Sequence, residues 1–192
     1  MLTLPPQVAE ALRALEAAGF EAYLVGGAVR DFVRGVPPHD WDLATNAAAG
    51  QVSAVFAGRH IIQTGLKHGT VTVVLDRLPL EITTFRGTSP TLQADLARRD
   101  FTVNAMAYSP RTGLLDPMGG QADLAHGRIR CVGLPDQRFA EDGLRVLRAA
   151  RFASALGMEI EAETAAAMRR ALPALRQTAP ERIRAELTGL LC

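Results

Sequence analysis

The sequence predicts an α/β head followed by an all-helical extension. Three observations carry that reading. Up to about residue 135, short β-type runs interleave with stretches of helical spacing, punctuated by glycine and proline. From Phe139 onward helical patterns dominate, with breaks near Gly157, Pro173 and Pro180. The length of 192 residues suffices for one good-sized domain plus a small helical appendage. A boundary is expected near Pro135 to Phe139, giving a head of residues 1–137 and a neck of residues 138–192.

Taken in order, Val8 to Ala18 is expected to be a helix, because Val8, Leu12 and Leu15 recur at i, i+4 and i+7. Gly19 ends it. Ala22 to Val25 is a short apolar strand that runs into Gly26-Gly27. Ala28 to Arg34 reads as a helix opening on those glycines and closed by Gly35 and the Pro37-Pro38 turn. His39 to Ala44 alternates as a strand, and Ala47 to Ala57 has helical spacing. Thr70 to Leu75 and Leu80 to Phe85 are β-rich runs joined around Asp76-Arg77, the pattern of a hairpin. Arg86 to Gln93 is a polar, proline-bearing loop. Phe101 to Tyr108 is apolar and fits helix or strand. Gly113 to Leu124 is rich in turn residues.

The composition excludes several classes. Apolar residues make up 48% of the chain and charged residues 21%, the balance of a soluble globular protein. No apolar run approaches the ~18–20 residues that span a bilayer. Met1 to Pro6 lacks the basic-then-apolar layout of a signal peptide, so a cytoplasmic protein is expected. Cys131 and Cys192 give neither a disulfide framework nor metal-ligand spacing. His39, His60, His68 and His126 show no ligand spacing either and read as surface or structural. The net charge of +1 gives no support to nucleic-acid binding by its total. Of 21 basic residues only Lys67 is a lysine. That bias fits a GC-rich genome first, and phosphate chemistry second, since arginine's fork binds phosphate bidentately.

Three constellations bear on chemistry. The first is a strand, Gly26-Gly27, then a helix carrying Arg30 and Asp31. Glycines at a helix start let backbone N–H groups approach a phosphate, the helix dipole favours the anion, and Arg30 adds a charge-assisted contact. The bland alternative is a plain tight turn. The second is Asp40-x-Asp42. On a strand, i and i+2 share a face, so both carboxylates converge, with Trp41 turned to the core. Two hard oxygen donors on rigid backbone suit Mg²⁺, although a solvated strand face has the same pattern. The third lies in Leu144 to Leu156, where the charged residues are Arg145, Arg148 and Arg151. They fill a helix stripe roughly 120° wide, with Val146, Leu147, Ala149, Ala150 and Ala153 opposite. A solvated basic face is the ordinary account. It usually interleaves acids at i, i+4, and none occurs within this stretch, so the arginine ladder is expected to be unpaired and to ask for an anion. Asp142 is expected at the opening of that helix, where the dipole favours an acid.

The order of these parts resembles a known family. Leu24-Val25-Gly26-Gly27-Ala28-Val29-Arg30-Asp31 followed by Asp40-Trp41-Asp42 is similar to the class II tRNA nucleotidyltransferases (CCA-adding enzymes) and the closely similar bacterial poly(A) polymerases, of the polymerase-β-like superfamily. Arg98-Arg99-Asp100-Phe101-Thr102-Val103-Asn104-Ala105-Met106-Ala107 resembles the family's ribose-recognising motif. Asp116-Pro117 with Gly119-Gly120 and Asp123-Leu124 resembles its connecting motif. Glu141-Asp142-Gly143-Leu144-Arg145, continued by Arg148 and Arg151, resembles its nucleobase-selecting motif. The match covers about residues 20 to 160 in five ordered motifs.

The resemblance implies a polymerase-β-like nucleotidyltransferase fold, with a mixed β-sheet in the head and an all-helical neck. It implies template-independent, Mg²⁺-dependent transfer of nucleotides to the 3′ end of tRNA. Asp40 and Asp42 would hold the metal, with Glu81 as a supporting third acid. Gly26, Gly27 and Arg30 would hold the triphosphate, and Arg99 and Asp100 would sense the ribose. Asp142 and Arg145 would read the base, supported by Arg148 and Arg151. In complete CCA-adding relatives a longer segment follows the second hairpin strand. Here only Arg86 to Ala94 separates Phe85 from Asp95, which implies addition of C and C from CTP, without the final A from ATP. Complete CCA addition and poly(A) synthesis stay open. The resemblance also implies further helical body and tail domains beyond Glu181-Arg182-Ile183-Arg184-Ala185-Glu186-Leu187, so a nucleotide-binding head unable to extend RNA alone is a second reading. A structural RNA-binding domain is the third. It is disfavoured by near-neutral charge and by aromatics at 5%, because single-strand readers carry stacking platforms. The sequence is silent on oligomeric state.

Overall fold

The structure, a computed structural model, describes residues 3–62, 69–86 and 90–191. Lys67, His68, Cys192 and the middle of the Arg86–Ala94 segment lie outside the described residues. The chain forms two compact units. One comprises the residues up to Leu96 together with Met106–Pro117, the other Ala97–Ala105 together with the residues from Met118 on.

In the first unit, α1 (Pro6–Ala17) buries Val8, Ala11, Leu12 and Leu15. This is the i, i+4, i+7 face plus one alanine, and Pro6 sits at the first helical position, where its missing N–H costs nothing. Strand β1 (Ala22–Val25) leads into α2 (Gly27–Val33), and β2 (Asp42–Thr45) precedes α3 (Ala49–Val55). Strands β3 (His60–Ile62), β4 (Thr70–Leu75) and β5 (Leu78–Thr84) follow, then α4 (Leu92–Ala97), and β6 (Ala107–Ser109) and β7 (Gly113–Leu115) complete the sheet. The strand order is β3-β4-β5-β2-β1-β6-β7. Among the described residues of this sheet β2 and β5 pair in parallel and the other ladders are antiparallel, so the sheet is mixed. β4 alternates strictly, with Val71, Val73 and Leu75 buried beside Leu80 and Ile82 of β5. The hairpin turn between them is two residues long, with Asp76 at φ 46° and Arg77 at φ 70°. This left-handed pair is the turn whose twist matches the flanking strands.

The expected strand His39–Ala44 is shorter than its alternation suggests, since β2 begins at Asp42. Its neighbours explain the limit. β1 ends at Val25, opposite Asp42, because Gly26 turns away at φ 72°. On the other side the ladder starts with the Glu81 N–H donating to Trp41 O at 3.1 Å. Asp40 therefore precedes the strand. The Phe101–Tyr108 stretch resolves into a 3₁₀ turn, Thr102–Asn104, and β6.

The second unit is mostly helical: α5 (Gly120–Ala125), α6 (Pro135–Glu141), α7 (Arg145–Leu156), α8 (Ala162–Ala171), a 3₁₀ helix (Leu172–Gln177) and α9 (Pro180–Leu191). A small parallel ladder, β8 (Arg128–Ile129) with β9 (Glu159–Ile160), sits among them. Periodicity cannot reveal so short a strand inside helical sequence. Gly157, at φ 64°, ends α7, with Met158 N–H donating back to Ala153 O at 2.9 Å. The core holds Phe101, Val103, Ile129, Cys131, Phe139, Val146, Ala149, Phe152 and Ala167. Burial pushes the Cys131 thiol up to about 12, so it is an inert core group. Packing thus places residues 97–105 and 118–137 with the helices, whereas a linear reading sets the change at 137/138. Phe101 does this by bridging to Cys131 and stacking edge-on against Phe152, with ring centroids 5.9 Å apart.

Candidate active site

In the first unit the mixed sheet assembles acids at one end. Val25 pairs with Asp42, and Asp42 pairs with Glu81 across the parallel ladder. Directly paired residues share a face, so Glu81 stands beside Asp42, and the glycine turn follows one residue after Val25. Asp40 is exposed, Trp41 buried, Asp42 half-buried and Leu43 buried. This out–in–out alternation continues ahead of the strand and puts Asp40 on Asp42's side. Trp41 is in the core, its ring 5.8 Å from that of Phe32.

Gly26 is the N-cap of α2 with φ 72° and ψ −137°, a conformation for which only glycine is suited. The Arg30 guanidinium lies over Gly27. Its Nε and Nη2 donate to the two carboxylate oxygens of Asp31 at 2.9 and 3.1 Å. Asp31 thus fixes the orientation of Arg30 beside the glycine turn.

The acidic end also bears on a metal. Among the described residues no group of three or more His, Cys, Asp or Glu side chains is placed to hold a metal ion. Mg²⁺ keeps several waters and takes one or two carboxylates beside substrate phosphates, rather than an all-protein cage. Asp40 and Asp42 are of the hard-oxygen donor type and number that such an ion takes, and Glu81 does not complete a group of three with them.

In the second unit the arginine ladder is not unpaired, and that expectation is corrected. Arg145 donates to Glu141 Oε2 at 2.8 Å and to the carbonyls of Arg138 and Arg98, each at 3.0 Å. Arg148 donates to Asp100 Oδ2 and to Glu186 Oε1, at 2.7 and 3.1 Å. Arg151 Nε reaches Glu186 Oε2 at 2.5 Å, and its guanidinium lies 4.3 Å from the centroid of the Phe152 ring. The counter-charges come from outside the Leu144–Leu156 window, on α6, on α9 and before the 3₁₀ turn. Burial disfavours the charged form of Arg148, but Asp100 and Glu186 outweigh it and hold its pKa above the ordinary value. Arg145, Arg148 and Arg151 are therefore each held by carboxylates within the unit.

Asp142 does not lie in the first turn of α7. It occupies the bend between α6 and α7, and its Oδ1 accepts the Leu144 N–H at 3.1 Å. Arg182 of α9 clasps both its oxygens, at 2.8 and 3.3 Å. Partial burial pushes Asp142 up, but the bonds from Arg182 and the Leu144 N–H outweigh it and leave the carboxyl below its ordinary range. A depressed carboxylate contributes stability above its unfolded pKa and loses it as pH falls through the folded one. Asp142 is thus ionised at neutral pH, with acceptor capacity left on Oδ2.

Asp100 is buried. Its Oδ1 accepts the Phe101 N–H at 2.8 Å and Asn104 Nδ2 at 3.2 Å, and its Oδ2 takes Arg148. Arg99 Nη1 donates to Asn104 O at 3.4 Å. Sequence reasoning assigned no role to Asn104, Glu141, Arg182 or Glu186. Glu141 was findable, since it lies four residues before Arg145. Glu186 is 35 and 38 residues from its partners, beyond any local spacing rule.

A strand-end glycine turn beside acids on the next two strands of a mixed sheet defines a nucleotidyltransferase head. Residues 22–130 match the family model described as the poly A polymerase head domain, and residues 157–192 match one described as a probable RNA and SrmB-binding site of polymerase A. The chain belongs to this family, that of the class II tRNA nucleotidyltransferases and poly(A) polymerases. A CCA-adding enzyme of Latilactobacillus sakei is 41% identical over all of this chain and 52% of its own length. One of Levilactobacillus brevis is 43% identical over 94% of this chain and 48% of its own. The chain thus spans about half the length of these curated relatives. Among solved structures, the Bacillus stearothermophilus CCA-adding enzyme in complex with CTP superposes with a TM-score of 0.92 at 39% identity, over 98% of this chain and 49% of that one. A tRNA nucleotidyltransferase with a primer tRNA and an incoming ATP analogue superposes at 0.80, with 32% identity over 94% of this chain and 55% of that one. No helix among the described residues is long and apolar enough to cross a membrane.

Proposed function

We propose that the chain is the catalytic part of a cytoplasmic, template-independent nucleotidyltransferase that adds CMP from CTP to the 3′ end of tRNA. The observation that carries this reading is the register Val25–Asp42–Glu81, which brings glycine turn and acids to one sheet end. The terminal 3′-hydroxyl attacks the α-phosphate of CTP, a new O–P bond forms, the α–β bridge breaks and pyrophosphate leaves. Mg²⁺ held by Asp40 and Asp42 would activate the hydroxyl and offset charge on the leaving pyrophosphate. Gly26, Gly27 and the Asp31-oriented Arg30 hold the triphosphate. Arg99 and Asp100 sense the ribose.

Asp142 and Arg145 select the base. The carboxylate accepts from an exocyclic amine, and arginine donates to ring or carbonyl acceptors. Cytosine carries such an amine at C4 and adenine at C6, whereas uracil and guanine carry a carbonyl at the corresponding positions. Arg148 and Arg151 support this pair through Glu186 and Asp100. The short Arg86–Ala94 segment favours stopping after two C additions. The similarity to proteins named CCA-adding enzymes favours a second reading, complete CCA addition by a longer protein.

Equilibrium binding of the four ribonucleoside triphosphates with Mg²⁺ tests the base reading. CTP and ATP are expected to bind at least about tenfold more tightly than UTP and GTP, the effect of one mismatched polar contact. Equal binding of all four would overturn it.

A further inference from the structure

Resting on the reading of Arg99 and Asp100 as ribose-sensing, we infer that Asp123 is a positioning residue for ribose recognition, acting through Thr102 and Asn104. Asp123 and Thr102 are both buried, at 4% and 1% exposure. One carboxylate oxygen, Oδ2, accepts the Thr102 hydroxyl at 2.6 Å and Arg130 Nε and Nη2, each at 2.8 Å. Arg128 Nε lies 4.0 Å from the other oxygen.

The backbone shows what this holds. Residues 100–102 run beside 130–132, with Thr102 N–H donating to Arg130 O at 2.9 Å and Val132 N–H to Asp100 O at 3.0 Å. Asp123 ties a side chain from each of these two stretches to one oxygen. Thr102 is also the first residue of the 3₁₀ turn that carries Asn104. Asn104 returns its amide to Asp100 Oδ1 and its carbonyl to Arg99 Nη1. Both ribose-sensing side chains are therefore tied to Asn104, and the turn presenting Asn104 is anchored at its start by Asp123. An ion pair with the half-exposed Arg130 alone would serve stability. The hydroxyl bond to Thr102 passes the constraint to the sensing residues.

The test is titration calorimetry of the chain with CTP, 2′-deoxy-CTP and UTP, each with Mg²⁺. It compares the wild type with Thr102→Val, which keeps shape and loses the hydroxyl, Thr102→Ser, which keeps the hydroxyl, and Asp123→Asn. The preference for CTP over 2′-deoxy-CTP is expected to fall by about tenfold in Thr102→Val and Asp123→Asn, the size of a charge-assisted hydrogen bond. Thr102→Ser is expected to retain that preference. The preference for CTP over UTP should stay at its wild-type value in all three. Should Asp123→Asn fail to fold, the uncharged Thr102→Val decides alone. An unchanged ribose preference in folded Thr102→Val, or an equal fall in the preference over UTP, would overturn the inference. A wild-type preference near one would overturn the ribose reading itself, and the inference with it.

Discussion

Alanine at both Asp40 and Asp42 is expected to reduce nucleotide incorporation by at least about 10³-fold, because it removes the two carboxylates to which the proposed reaction assigns Mg²⁺. The fold should survive. Asp40 is exposed and precedes the strand, and the β2 ladder is made by backbone groups that alanine retains. Substitutions outside a core or a buried network cost within about 0.5 kcal/mol, so the melting temperature should shift by only a few degrees. Glu81→Gln is expected to have a smaller effect on rate, because Glu81 stands across the ladder rather than within the Asp40-x-Asp42 pair. Single-turnover incorporation with thermal unfolding on the same preparations checks all three. Activity retained by the folded double variant would remove the acids from the mechanism.

Arg148→Ala is expected to destabilise the second unit measurably. It leaves the Asp100 and Glu186 carboxylates, 9% and 11% exposed, without the cation that bridges them. Breaking a buried pair costs about 3–5 kcal/mol. Arg148 is itself about a third exposed, at 32%, so solvent screening brings the expectation to about 2–3 kcal/mol. Asp100 keeps its bonds from the Phe101 N–H and Asn104, and Glu186 keeps Arg151, so each carboxylate loses one partner rather than all. Arg148→Lys should recover only part of the loss, since an ammonium cannot present Nε and Nη2 to Asp100 while reaching Glu186. Urea unfolding of both variants at pH 7 reads the loss and its partial recovery. A variant as stable as wild type at pH 7 would show that the network carries no net stabilisation.

Much of the first unit was legible because its signals are local. The i, i+4, i+7 spacing of α1, the apolar run of β1, the hairpin around Asp76-Arg77 and the Gly26-Gly27 turn each lie within a dozen residues. Asp40-x-Asp42 was legible for the same reason, although the strand proper starts at Asp42, where Gly26 ends the partner ladder. The second unit was less so. The arginine stripe was visible, but its meaning reversed once Glu141, Asp100 and Glu186 were placed against it, two of them from distant segments. Ion pairing between segments leaves no periodic trace. Phe101 shows the same limit, since its bridge to Cys131 joins residues 97–105 to the helical unit by a contact that no linear scan detects. The roles of Asn104 and Asp123 depend on one oxygen accepting side chains from two adjacent backbone stretches, which only the folded chain displays.

Nucleotide addition itself is measured by supplying labelled CTP or ATP with Mg²⁺ to this chain and a tRNA lacking its 3′-terminal CCA, and reading the products at single-nucleotide resolution. Two successive C additions are expected, and they should disappear in the Asp40 and Asp42 double variant. No incorporation of either nucleotide by the folded wild-type chain would contradict the proposed function.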